Sequence, residues 1–548
     1  MQIIIPMAGF GERFRKKGYT IPKPLIEIEG KPMIAHVIDL FPDESDITFI
    51  CNREHLETPR YKMESTIKKY CKTAKILAIP PHKFGPVYSV MQVIEDIDLS
   101  KPTIVNYCDF SCLWDWYHFK QFVLKSKVDG AIPCYRGFHP HSLGSTYYAY
   151  IKTLNDSVID IQEKQPFTDS PMNEYASSGT YYFASGSILK KYFNTMILQE
   201  LNTNQEYYVS LAYIPMLADN CKVVVYEISH FMQWGTPEDL AEYKMWSAAF
   251  LALISPRVRT AKHKGAVFVP MAGQGQRFLD AGYQTPKPLI PVSGKAMAIQ
   301  AINDLPITDK QYAILRADLP YISQLILELK NNFPTMNISI LDQITDGQAR
   351  TCMSAMNNIE VDLPLTIGAC DNGSIYDTTK FENLLSMPDT DIIVWTTKEH
   401  ALAKRKPEMF GWIESTPENK VTRVSVKAPL NNPSEDSIII GCFTFKRAGD
   451  FSLLFESLIN RKGEMNGEYY IDSMIEDALN IGMNVYIFDV DHYLGWGVPD
   501  DLNIFSYWQS CFHKWNTHHY CLTQDNRVPV ESQEQRFESS PIHTYLEK

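Results

Sequence analysis

The chain has 548 residues, 45% of them apolar and 21% charged, with a formal net charge of −12. That length exceeds what one ordinary core supports, so two or more large domains are expected. The acidic balance, with no Lys/Arg block, argues against a nucleic-acid surface; eleven scattered Cys without a CxxC pair read as buried thiols in a reducing compartment, not a disulfide frame or a zinc site.

In chain order, "QIIIP" is a short apolar strand that runs into a Gly-rich loop, "MAGFGERF". "PMIAHVIDLF" reads as a helix, "ITFIC" as a strand, "YKMESTIKKYC" as a helix and "AKILAI" as a strand. "VYSVMQVI" is the next helix, and "PTIVNYC" a strand that ends at Asp109. Fully apolar strands between helices predict a mainly parallel sheet covered on both faces. Ligands of such sheets sit at the carboxyl ends of the strands, where the Gly loop and Asp109 both fall. The start "MQIIIPMAGFG" has no basic n-region and too short an apolar run for a signal peptide. No stretch of about 18 apolar residues predicts a membrane span, and a cytoplasmic protein is expected.

The loop is written twice. Met7–Met33 and Met271–Met297 match at 16 of 27 positions without a gap. Further pairs follow at offsets of 262 or 263 residues: Gly85 with Gly347, Asp109 with Asp371, Lys164 with Lys427, Glu206 with Glu468, Gly235 with Gly497. The repeat therefore has the period of a domain. It predicts domain 1 over 1–250, a linker over 251–264, domain 2 over 265–510 and a polar tail over 511–548.

The chemistry of the loop points to phosphate. Glycines without Cβ atoms let backbone N–H groups approach a ligand closely. Arg13 and Arg277 offer bidentate bonds to phosphate, and Pro22-Lys23-Pro24 and Pro286-Lys287-Pro288 are expected to hold a lysine in a stiff, extended segment. The spacing fits neither a Walker loop nor the dinucleotide G-x-G-x-x-G, whose third glycine place holds Phe14 and Phe278.

G-x-G-x-R followed by P-K-P-L resembles the signature of the sugar-phosphate nucleotidyltransferases, the nucleoside-diphosphate-sugar pyrophosphorylases, and does so in both halves. "DGQARTCMSA" is similar to the family's base-reading segment, "YCDF" and "ACDN" to its metal-binding aspartate, and Glu163-Lys164 to its E-K pair near the acceptor phosphate. "SSGTYYF" and "IIGCFTF" resemble its G-x-Y-x-F strand; "WGTPEDL" and "WGVPDDL" resemble its late motif. The wording is most similar to a branch from bacterial capsule and surface-polysaccharide loci, which includes glucose-1-phosphate thymidylyltransferases and a CTP:phosphoglutamine cytidylyltransferase.

The resemblance implies an α/β fold of two tandem Rossmann-like nucleotidyltransferase domains, each a mainly parallel mixed sheet with helices on both faces. It implies transfer of a nucleoside monophosphate from CTP, dTTP or UTP to a phosphorylated sugar, polyol or similar acceptor, with release of pyrophosphate, for capsular or surface polysaccharide. Arg13, Lys23, Arg277 and Lys287 would be catalytic. Ala8, Gly9, Gly11, Gly85, Ala272, Gly273, Gly275, Gly347 and Gln348 would bind nucleotide, with Gly85 and Gly347 letting a base lie against the backbone. Glu163, Lys164, Gly179, Lys427 and Gly441 would bind acceptor, and Asp109 and Asp371 would hold Mg²⁺. No nucleic acid or membrane partner is implied; self-association stays open.

The halves differ where specificity would be set. "KFGPVYSV" stands against "TDGQARTC", so Gln348 offers an amide edge for base hydrogen bonds that Val87 does not, and Val426 replaces the Glu of the E-K pair. Gln233 and Gly495 stand where many members carry a second metal-binding Asp, with Asp115 and Asp377, or water, as alternatives. One half as a non-catalytic binding module, or a nucleotide-sugar glycosyltransferase, are the rival readings. His139, His141 and the run "LWDWYHF" read as structural.

Overall fold

The computed structural model describes residues 1–535 apart from 145, 257–261, 399 and 434. The described chain falls into two compact units. One holds Met1–Ser247 and Ser510–His519; the other holds Ala248–Gln509 and residues 520–535.

In the first unit, the apolar run after Met1 forms the strand Gln2–Met7, buried at all six positions. It lies parallel between Ile47–Asn52 and Thr103–Asn106, and Lys75–Ile79 adds parallel at the edge. Beyond Thr103–Asn106 the direction reverses at Thr180–Phe183, and Gly130–Tyr135 and Val223–Glu227 then pair parallel to each other. The result is a mixed sheet of ten strands. Alternate residues of the first strand feed two cores: Ile3 and Ile5 pack on one face, Ile4 on the other. That double burial is why the strand shows no polar alternation.

The expected helices form as Met33–Ile38, Met63–Tyr70 and Pro86–Met91. Trp116 and Phe119 of "LWDWYHF" are buried in a helix. His139 is fully buried, and Tyr135 Oη lies 2.9 Å from Nε2 of His141.

The second unit orders its strands in the same way. His263–Pro270 lies parallel between Thr308–Arg316 and Leu365–Ile367, with Asn337–Leu341 at the edge. Ser437–Phe445 is the reversed strand, followed by Ile392–Thr397 and Val485–Asp489. Ala266 and Phe268 face one core, Val267 and Val269 the other.

Each unit also has a small antiparallel ribbon that matters for the site. Phe110–Leu113 pairs with His230–Gln233, which sets Phe110 opposite Gln233. Asn372–Ile375 pairs with His492–Gly495, which sets Asn372 opposite Gly495.

The segments expected as linker and tail are partly folded. Residues 251–254 end the helix Pro237–Ile254, and residues 263–264 open a strand; residues 257–261 lie outside the described residues. Of the expected polar tail, Cys511–Lys514 ends a helix. Trp515 is buried in the first unit and Tyr520 and Leu522 in the second; residues 536–548 lie outside the described residues.

Candidate active site

A cleft of about 490 Å³ opens in the first unit at the carboxyl ends of the parallel strands. Gly9, Gly11, Arg13, Lys23, Gly85, Asp109, Glu163, Lys164 and Gly179 all line it. Ala8 does not; it is 2% exposed and supports the loop from beneath.

The loop after the first strand turns at Gly11, whose φ of +64° suits glycine, before the short helix Glu12–Lys16. Gly275 repeats this at +68°. A Cβ at Gly9 or Gly273 would meet nothing within 4 Å, so packing does not demand glycine there. Arg13 is exposed at the cleft, its guanidinium 5.4 Å from the Tyr147 ring centre.

The Pro-Lys-Pro segments are not extended. Pro22 is, but Lys23–Leu25 closes a 3₁₀ turn, and Lys287–Leu289 does the same. The proline after each lysine fits because its fixed φ suits the turn and its missing N–H would have no partner there anyway. The turn aims each lysine at its aspartate. Lys23 Nζ donates to Asp109 Oδ2 at 2.6 Å and to the Gly235 carbonyl at 2.9 Å. Lys287 Nζ donates to Asp371 Oδ2 at 2.5 Å. Burial opposes the charge of Lys287, but Asp371 carries its pKa above the ordinary lysine value. Neither aspartate caps a helix; the ribbons deliver both, with the Trp234 N–H on the Asp109 carbonyl at 2.9 Å and the Trp496 N–H on the Asp371 carbonyl at 3.0 Å.

Asp115 and Asp377 are the helix caps. Asp115 accepts from the His118 N–H at 2.8 Å, and Asp377 from the N–H groups of Thr379 and Lys380 at 2.9 and 3.2 Å. Gln233 instead lines the cleft, and its amide NH₂ donates to Asp239. Since the amide nitrogen must face that carboxylate, Oε1 is left buried without a hydrogen-bond partner. Gly495 offers no such oxygen. Near it Asp501 is pushed up to about 7, by burial first and then by Asp500 and Asp371.

Gly85 and Gly347 are required by the chain itself. A Cβ at Gly85 would stand 2.7 Å from the Tyr207 nitrogen, and one at Gly347 2.5 Å from the Tyr469 nitrogen. In each unit the two segments exchange backbone bonds: Tyr207 N–H to Phe84 and Val87 N–H to Tyr207, Tyr469 N–H to Asp346 and Ala349 N–H to Tyr469. Beside them Val87 and its counterpart Ala349 are fully buried, whereas Pro86 and its counterpart Gln348 are half-buried, with Gln348 at the start of the helix Gln348–Met353.

At the other end of the cleft Glu163 accepts from Ser210 Oγ at 2.6 Å. Burial pushes its carboxyl up to about 7, against the pull of Ser210 and Lys164. Lys164 donates to Tyr208 Oη at 2.6 Å, and Tyr208 donates to Glu206. Lys164 and Lys427 both sit in the left-handed region, at φ +61° and +58°, unusual for lysine. Lys427 donates to the Met409 carbonyl at 2.6 Å. Gly179 has φ +93° and packs on Tyr107 and Phe110; Gly441 has φ +74°. Tyr208 is a site group that the motifs did not single out, although "EYY" recurs at Glu206–Tyr208 and Glu468–Tyr470.

The fold and this cleft define an α/β protein with a cationic, aspartate-bearing site at the strand ends. Residues 2–245 match the family model described as "Nucleotidyl transferase". The bifunctional protein GlmU of Methanocaldococcus jannaschii is 26% identical over 227 residues, which is 40% of this chain and 49% of that protein. The mannose-1-phosphate guanyltransferase of Candida albicans is 27% identical over 200 residues, 30% of this chain and 53% of that protein. The chain thus spans about half the length of the curated relatives it matches. Among solved structures, the nucleoside-diphosphate-sugar pyrophosphorylase from Vibrio cholerae has a TM-score of 0.37 at 20% identity, over 44% of this chain and 98% of that one. The inositol-1-phosphate CTP transferase from T. maritima has a TM-score of 0.36 at 14% identity, over 46% of this chain and 98% of that one. No described helix is long and apolar enough to cross a membrane.

Proposed function

We propose that the chain is a nucleotidyltransferase built of two tandem copies, which joins a nucleoside monophosphate from an NTP to a phosphorylated sugar or polyol and releases pyrophosphate. The observation that carries this is the lysine–aspartate pair beside a glycine loop at the strand ends, present at 2.6 Å in the first unit and 2.5 Å in the second. The family match over residues 2–245 supports it. CTP, dTTP or UTP as donor, a cytoplasmic location and a role in capsular or surface polysaccharide are the finer parts of the proposal.

An acceptor phosphate oxygen attacks the NTP α-phosphorus, the new P–O bond forms as the bond to the β-phosphate oxygen breaks, and pyrophosphate leaves. The attacking phosphate is largely dianionic at neutral pH, so no general base is needed. The obstacle is repulsion between anions, and the chain's part is charge neutralisation and positioning. Arg13 and Arg277 balance the β- and γ-phosphates. Lys23 and Lys287 serve the reacting centre, and Lys164 and Lys427 hold the acceptor phosphate. Gly9 and Gly273, where packing leaves space, admit the nucleotide.

The first site fits Mg²⁺, because the Asp109 carboxylate is a hard oxygen donor beside Gly235 and the cleft-lining residue Gln233 carries a second one, its buried, partnerless Oε1. Bound there, Mg²⁺ would supply positive charge against the phosphates. In the second unit Asp371 would hold it, without a side-chain oxygen at Gly495. That difference favours a second reading of the second half alone, as a site that binds nucleotide without turning it over.

The test is pyrophosphate release from CTP, UTP, dTTP, GTP and ATP with a panel of phosphorylated sugars, polyols and amino-acid derivatives. Lys23→Ala and Lys287→Ala should each remove the reaction of their own half, a loss of about 2–4 kcal/mol in transition-state stabilisation. Full activity in the double variant would exclude the site.

A further inference from the structure

The second half lacks the glutamate of the E-K pair, since Val426 stands before Lys427. The carboxylate has not been lost from the unit. In the first unit Glu163 lies opposite Ala149 in an antiparallel pair, and its Oε2 reaches Ser210 Oγ at 2.6 Å. In the second unit Val426 lies opposite Gly411 in the corresponding pair. The residue that corresponds to Ser210, at an offset of 262, is Asp472, in the first turn of the helix Ile471–Asn480. Its Oδ2 fills the space that a Cβ on Gly411 would take.

Three positions have therefore changed together, from Glu163, Ala149 and Ser210 to Val426, Gly411 and Asp472. The carboxylate has moved from strand to helix, and the alanine across from it has become glycine to make room. Asp472 feels Lys427, and Lys427 feels Asp472. Among the described residues no side chain donates a hydrogen bond to Asp472, which is half-buried and bonded by its own backbone N–H. A carboxylate drawn part-way out of water costs stability unless enough donors bond it. A half retained only as scaffold has no need of this exchange, because an apolar residue at 472 would pack at lower cost.

We propose that Asp472 is the acceptor-binding carboxylate of the second site, and that with Lys427 it selects a phosphorylated sugar or polyol. Lys427 takes the phosphate, and Asp472 accepts hydrogen bonds from acceptor hydroxyls. This rests on the nucleotidyl-transfer reading for the name of the acceptor, but its binding test does not depend on turnover.

The experiment uses the full chain with the first half silenced by Lys23→Ala and Lys164→Ala. Glucose 1-phosphate, mannose 1-phosphate, ribitol 5-phosphate and sn-glycerol 3-phosphate are each titrated by calorimetry against inorganic phosphate. At least one should bind tenfold or more tightly than phosphate. Asp472→Asn should abolish that preference while phosphate affinity stays the same. The triple variant Gly411→Ala, Val426→Glu, Asp472→Ser rebuilds the first-half arrangement and should restore it, which also guards against a misfolded single variant. The inference is overturned if the parent shows no preference for any of the four, or if Asp472→Asn leaves the preference intact. A preference that behaves as expected, with no pyrophosphate released from any NTP, would sink the transfer reading and leave Asp472 in place.

Discussion

The glycines of the loops separate into two kinds when each is asked what a Cβ would touch. Gly85 and Gly347 sit at φ +86° and +117°, against the backbone of Tyr207 and Tyr469. Alanine at either should destabilise its unit by about 1–3 kcal/mol through backbone strain, and more where the peptide cannot yield. Gly9→Ala and Gly273→Ala meet open space, so they should leave the unfolding midpoint unchanged and weaken nucleotide binding. Chemical denaturation and calorimetry on the same variants check both halves of this expectation. Glu163 gives a pH signature. Its carboxyl is raised from 4.5 to about 7, chiefly by burial. Between those values the folded chain holds a proton that the unfolded chain has released, so stability falls as pH rises through that window. Glu163→Gln cannot ionise; its thermal midpoint should lose that part of the slope and exceed the wild type's above pH 7.

At the scale of elements, the two-stranded ribbons do most to make the site. They place Asp109 beside Gly235 and Asp371 beside Gly497, and the 3₁₀ turns then bring the lysines across. The helices that follow the ribbons begin at Asp115 and Asp377. These two aspartates are spaced alike after Asp109 and Asp371, which made them candidates for the second metal ligand. Their carboxylates are instead committed to backbone N–H groups. Asp115→Ala and Asp377→Ala should therefore cost about 0.5–2 kcal/mol of stability each. The Mg²⁺ concentration that gives half-maximal pyrophosphate release should not move, whereas Asp109→Asn should shift it.

For the whole molecule, the proposal of two complete sites makes a stoichiometric statement. Each lysine–aspartate pair, each loop and each acceptor lysine lies within one unit. Calorimetry with Mg²⁺ and the preferred NTP should therefore give two nucleotides per chain, and one after Arg13→Ala with Lys23→Ala. One nucleotide in the unaltered chain would make one half a binding-inactive module. The base ranking should differ between the sites, because partly exposed Gln348 presents an amide edge where the first half has Pro86.

Much of this was readable from the residues in order. Apolar runs such as "QIIIP" and "AVFVP" specify strands buried on both faces, because a sheet covered by helices on both sides allows no polar alternation. The doubled loop, with its recurring Arg, Lys and Asp, placed the cations and carboxylates on the same strand ends. These signals are local: each depends on neighbours in sequence or on a short period. What tertiary structure decided depends on register between distant segments. Lys23 and Asp109 are 86 residues apart, and Lys287 and Asp371 are 84 apart. That they bond, that Gly85 serves Tyr207, that Asp115 is a cap and that Gln233 lines the cleft all follow from which strands pair and with what offset. The move of a carboxylate from Glu163 to Asp472 is the clearest case. In sequence it reads as a loss, because position 426 is valine; in space the charge returns from a helix, through the gap that Gly411 leaves.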